Sequence, residues 1–190
     1  MAYYREGLFH LACFGIIEFF SMAFSACDSD YLNVRKQLST FESSAIVLPT
    51  EMLLIAKGRV TTVSDQNIAK TFFIYFESVD CSDCLSGQLA SFSRIITLAQ
   101  ENGLQVKCII SPRLDEAGEL IKKLTELHNY LDLYVDVSSS FHELNPNLPY
   151  DKRFYLFCTD KDGKPFFVGN PCIDKHNYKL FIKSLKKSVL

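Results

Sequence analysis

The chain lacks an excess of charge of either sign: 20 Lys and Arg stand against 22 Asp and Glu, for a formal net charge of −2. That removes any global reason to expect nucleic-acid binding, which leans on a basic footprint. It also lacks a clean apolar run of the roughly 20 residues a membrane-spanning helix needs; the best run, Leu8 to Phe24, is interrupted by Glu18. Cysteine is present seven times but without a framework pattern, and Cys13, Cys27, Cys108, Cys158 and Cys172 are scattered. A small disulfide-stapled fold is therefore not expected. Histidine is sparse, and neither His142 nor His176 has metal-ligand spacing to another ligand. No metal site and no cofactor are expected, and both histidines read as ordinary surface residues.

What is present is enough for a core. A length of 190 residues, 48% of them hydrophobic and sixteen of them Phe, gives room for one compact domain plus an N-terminal appendage. The basic residues that do gather, Lys179, Lys183, Lys186 and Lys187, stand at helical spacing. Such a row is more often the solvated face of a terminal helix than a binding patch.

The first residues read as an address. Arg5 precedes the apolar run, and the small residues Ser25 and Ala26 come after it, immediately before Cys27. A positive start, an apolar centre and a small-residue end are the pattern of a secretory signal. Phe24-Ser25-Ala26-Cys27 resembles the lipobox of bacterial lipoproteins. That resemblance implies cleavage after residue 26, lipidation of Cys27, and an acidic tether at Asp28-Ser29-Asp30. An uncleaved membrane anchor is the other reading, and both place the rest of the chain outside the cytoplasm, in the cell envelope. Residues 27–65 are expected to be a tether and extension. They hold a short helix over 31–42 and strands at Ala45–Leu48 and Met52–Val60.

The main domain is expected over residues 66–190. Thr71–Phe76 is a continuous aromatic-rich run suited to a strand buried on both faces. Glu77 to Asp80 comes next as a short loop, and then Cys81-Ser82-Asp83-Cys84. Leu85, Leu89, Phe92, Ile95, Ile96 and Ala99 recur at helical spacing up to Gly103. Further on come a strand at Leu104–Ile110, a helix from Asp115 to about Tyr130, a strand at Leu131–Val137 and a helical turn at Ser138–Leu144. Arg153–Thr159 and Pro165–Val168 flank Asp160-Lys161-Asp162-Gly163-Lys164, a hairpin signal. Asp174 can cap a final helix to about Lys187. Two right-handed crossovers and then an antiparallel hairpin predict an α/β fold, a mixed sheet in the order βαβαββα with helices on both faces.

A thiol at the mouth of a helix faces unpaired N–H groups and the positive end of the dipole, which favours the thiolate. Cysteines three apart on one turn can close a disulfide after the first has attacked. Cys81 is thus the candidate catalytic nucleophile and Cys84 the resolving thiol. Glu77, Asp80 and Asp83 work against a strong nucleophile, because neighbouring negative charge disfavours a thiolate, and no Lys, Arg or His lies within several residues along the chain. Cys108 and Cys158, inside apolar strand-like runs, read as buried structural thiols.

The element order with a CxxC at the first helix resembles thioredoxin over about residues 66–190. It is most similar to thioredoxin-like lipoproteins of Bacteroidetes-type bacteria, on Asp80 to Cys84, on Phe141 to Pro149, and on Val168-Gly169-Asn170-Pro171. The resemblance implies an extracytoplasmic thiol-disulfide protein. Its partners would be exported protein thiols or disulfides and a membrane redox protein. Enzymes of this fold place a cis-proline before the hairpin, facing the CxxC; here the matching positions, Lys152 to Phe154, hold none. The alternatives are a structural disulfide in a non-catalytic envelope module that binds a partner protein, and metal handling by the cysteine pair.

Overall fold

A computed structural model describes residues 32–64, 68–79, 81–126 and 131–188. Residues 1–26 and Cys27, with the signal, lipidation and tether expected there, lie outside the described residues, as do Asp80 and His128. The chain divides into two compact units, Met1–Ser39 and Thr40–Leu190. Residues 32–43 (α1) are helical, and among the described residues the sheet and the other helices lie within the second unit.

That unit is built on one seven-stranded sheet in the order β2-β1-β5-β4-β3-β6-β7. The strands are β1 Met52–Ala56, β2 Arg59–Val63, β3 Thr71–Val79, β4 Gln105–Pro112, β5 Leu133–Val135, β6 Leu156–Thr159 and β7 Pro165–Val168. β3, β4 and β5 run parallel, while β6, β7 and the β1–β2 pair are antiparallel to their neighbours. The helices are α2 Ser82–Glu101, α3 Ala117–Glu126, α4 Ser140–Leu144 and α5 Lys175–Ser188, with a single 3-10 turn at Lys152–Phe154. The expected mixed α/β sheet is therefore present.

β3 is an interior strand, flanked by β4 and β6, and its sequence suits that place. Alternate side chains of a strand point to opposite faces, and Thr71 to Tyr75 are buried on both. Phe72 and Ile74 enter one core with Leu89, Ile96, Leu124 and Phe181. Phe73 and Tyr75 enter the other with Phe41, Phe141 and Phe157. The crossovers from β3 to β4 and from β4 to β5 step in the same direction, so the right-handed rule sets α2 and α3 on one face, joined there by α5. The chain must then recross from β5 to β6. It does so over the opposite face, through α4 and residues 145–155.

Five local expectations are corrected. Met52–Val60 is not one strand: Lys57 and Gly58 both take positive φ, 51° and 73°, which is the two-residue turn of a tight hairpin. Ala45–Leu48 is not a strand; the backbone of Val47 is satisfied at both its groups by the side-chain amide of Asn145, at 2.8 Å each. Glu77 to Val79 is not a loop but continues β3 through a bulge at Ser78, whose φ is 54°. The strand expected over 131–137 is confined to Leu133–Val135, because Asp136 turns inward to accept the N–H of Phe141 at 2.7 Å. Arg153 and Phe154 belong to the 3-10 turn rather than to β6.

Candidate functional site

Cys81 occupies the N-cap of α2. Its backbone is extended, and its Sγ accepts the N–H of Cys84 at 3.1 Å. The helix starts there for two reasons. The Cys81 Sγ satisfies one of the orphan N–H groups of the first turn, and Leu85, Leu89 and Phe92 give α2 an apolar stripe to lay on the sheet. One turn brings the two thiols together, and Cys81 and Cys84 are joined in a disulfide with their Cα atoms 5.3 Å apart. The pair sits at the C-terminal end of β3, which lies between β4 and β6, over the first turn of the helix, where unpaired N–H groups favour a thiolate once the bond is open.

The disulfide opens on a cleft of about 740 Å³. Its floor and walls come from the end of β3, the first turns of α2, the 152–156 segment and the Asn170–Ile173 loop. Phe76, Leu85, Phe92 and Leu156 make it largely apolar, with Glu77, Lys152 and Arg153 as its charged members.

The acidic neighbours read along the chain are partly answered across space. Glu77 holds its carboxylate 3.3 Å from Nδ1 of His142, without hydrogen-bond alignment. It also sits 3.7 Å from Nζ of Lys152 and accepts the Tyr155 hydroxyl at 3.3 Å. Burial, and then the Glu77 charge, push the Tyr155 hydroxyl well above its ordinary range. Tyr75, whose ring lies 5.0 Å from that of Tyr155, is pushed up to about 12, chiefly by burial, although its bond to Ser111 opposes the shift. Both tyrosines therefore remain neutral hydrogen-bond donors. Lys123 on α3 is ion-paired with Glu119 at 2.7 Å and is only weakly influenced by Asp83.

The expected residues are thus brought together selectively. His142, read as an ordinary surface residue, is instead half-buried against Glu77, with 26% of its side chain exposed. His176 is exposed on α5. Among the described residues no group of three or more His, Cys, Asp or Glu converges as a metal site. Cys108 and Cys158 are fully buried in the sheet, and burial pushes both thiols far up. Cys172 is free and exposed and lines the same cleft as the disulfide; partial burial raises its thiol as well.

The place of a cis-proline is taken by the 3-10 turn. Asp151 caps it by accepting the N–H of Arg153 at 2.9 Å, and there is no cis peptide bond among the described residues. Pro149 is buried and does not line the cleft. Lys152 and Arg153 stand where the resemblance sets residues facing the CxxC, but nothing local marks them, or Tyr155, as the polar wall of the cleft. The one signal available was their position just before the hairpin strand.

No protein-family profile and no curated protein matches the chain. Two solved structures resemble it. One is a candidate thiol:disulfide interchange protein DsbE from Chlorobium tepidum, at 16% identity and a TM-score of 0.49, covering 75% of this chain and 98% of that one. The other is an uncharacterized thioredoxin-like protein from Porphyromonas gingivalis, at 18% identity and a TM-score of 0.46, covering 77% of this chain and 94% of that one. On its own topology, with parallel β3 and β4 joined by α2, an antiparallel β6–β7 hairpin and α5 closing the layer, this chain has a thioredoxin-like fold with its CxxC disulfide at the start of the first core helix.

Proposed function

We propose that the chain is an extracytoplasmic, membrane-attached thioredoxin-like protein that carries out thiol-disulfide exchange through Cys81 and Cys84. The observation that carries the reading is the closed Cys81–Cys84 bond at the N-cap of α2, opening on an apolar cleft. In the reduced form the Cys81 thiolate attacks one sulfur of a substrate disulfide. A mixed disulfide forms and one substrate thiol leaves. Cys84 then attacks the Cys81 sulfur, closing the pair and releasing the second substrate thiol. Two electrons pass to the substrate, so a dithiol donor, such as a membrane redox protein, must reopen the pair. Run backwards, the same steps oxidise exported thiols.

The membrane part of the reading is supported by the sequence: residues 1–26 as a signal, Cys27 as the lipidated residue, 27–65 as tether and extension, and 66–190 as the working domain. Among the described residues no helix is long and apolar enough to cross a membrane. A second reading is a non-catalytic envelope module with a structural disulfide that binds a partner protein. The 3-10 turn standing where a substrate-pairing cis-proline is expected favours it.

The test is a redox titration of the purified protein, with alkylation of Cys81 and Cys84 read by mass spectrometry. Exchange requires a reversible two-electron transition between about −120 and −270 mV. A pair that stays oxidised below about −300 mV is structural and overturns the exchange reading.

A further inference from the structure

The exchange reading leaves one charged surface unused. α5 carries five lysines and no acidic residue, in a chain whose formal net charge is −2, so the remainder is distinctly acidic. Lys175, Lys179, Lys183 and Lys186 fall within about 80° of the helix circumference at about 100° per residue, and Lys187 extends the stripe. All five are exposed. Among the described residues every ion pair lies elsewhere. The opposite face of α5 is occupied, since Phe181 and Leu185 are buried in the core.

The stripe has apolar borders. Leu180 is 42% exposed along one edge. Along the other, Tyr178 and Ile182 line a shallow groove with Lys179, Lys183 and Lys186, and Arg94 of α2 lies 5.2 Å from the Tyr178 ring. Lysine is a mobile, strongly hydrated point charge rather than a rigid fork. A row of such charges suits a diffuse, fluid anionic surface better than the fixed carboxylate pattern of one protein partner. The exposed Leu180 and the half-buried Tyr178 and Ile182 beside the row suit the boundary between headgroups and acyl chains.

We infer that the lysine face of α5 docks this domain on an anionic phospholipid surface, with the phosphodiester headgroups as its ligand. The inference stands on α5 alone and survives failure of either the exchange reading or lipidation at Cys27.

The experiment uses the full chain with vesicles of pure phosphatidylcholine or of phosphatidylcholine with phosphatidylglycerol. The rate of acetylation of each lysine is followed by mass spectrometry, with Lys122 and Lys161 as exposed references outside α5. This readout is independent of how tightly the N-terminus holds the vesicle. The expected result is acetylation at Lys179, Lys183 and Lys186 slowed roughly tenfold by phosphatidylglycerol, with the references unchanged and the protection lost at high salt. Equal rates on the two kinds of vesicle would overturn the inference. So would protection by soluble poly-glutamate but not by phosphatidylglycerol, which assigns the face to an acidic protein.

Discussion

Asn145 shows how a single buried amide can replace a strand. It is 5% exposed and donates to Val47 O and to Phe141 O, at 2.8 and 2.7 Å, while its own oxygen accepts the Val47 N–H at 2.8 Å. Each such bond is worth about 1 kcal/mol net, and the groups abandoned on truncation cost more when buried. Asn145→Ala should therefore lower unfolding stability by about 2–4 kcal/mol, read as a shift of the urea midpoint at unchanged slope. An unchanged midpoint would mean that water satisfies Val47 and that the amide is dispensable. Glu77 is the corresponding residue at the cleft. Its three partners, His142, Lys152 and Tyr155, all lie more than sixty positions away along the chain, so its charge looked unanswered when only near neighbours were read.

Among the elements, those marked by periodicity and punctuation were legible. β3, α2, α5 and the β6–β7 hairpin stand close to where the residues place them, and Asp174 caps α5 by accepting the N–H of Asn177 at 2.8 Å. Elements whose backbone is completed by distant groups were not. Ala45–Leu48 has the composition of a strand, yet its bonds go to Asn145 and to Gly163 O, which accepts the Ile46 N–H at 3.0 Å. Gly163 is itself constrained, with φ of +77° in the hairpin turn and a would-be Cβ only 3.5 Å from the Ile46 backbone. The space is tolerable, so the cost of a side chain there is conformational. Gly163→Ala should destabilise by about 1–2 kcal/mol, measured by thermal or urea unfolding. A loss much beyond that would mean the Ile46 contact also gives way.

For the whole molecule, the fold places the Cys81–Cys84 pair beside its cleft, whereas the proposed membrane attachment rests on the N-terminal sequence. Lipidation is read from Phe24-Ser25-Ala26-Cys27 alone, and it makes a clean prediction. In a bacterial host supplied with labelled fatty acid, the chain should incorporate label, and Cys27→Ser should abolish incorporation. Label persisting in Cys27→Ser would sink lipidation at that residue, and no label in the parent chain would favour an uncleaved anchor. The core is divided by the sheet into two clusters, and this division arises from the chain path rather than from composition. Two crossovers stepping the same way load one face with α2 and α3, and α5 joins them there after β7. The opposite face is left to α4, Phe41 and the returning segment.

The amino-acid sequence by itself determined the aromatic interior strand, the cysteine pair on the first turn of α2, the apolar stripe that seats that helix, and the turn that makes the last hairpin. These depend on interactions within a few residues, where the 2.0 and 3.6 periods and the capping groups act. Only the tertiary structure decided the charge environment of Glu77, the 3-10 turn facing the disulfide, and the entry of Cys172 into the same cleft. Each of these joins groups tens of residues apart, such as Glu77 and Lys152 at a separation of 75. Glu77 meets His142 and Lys152 because the chain recrosses the sheet from β5 to β6, and Cys172 reaches the cleft through the loop between β7 and α5.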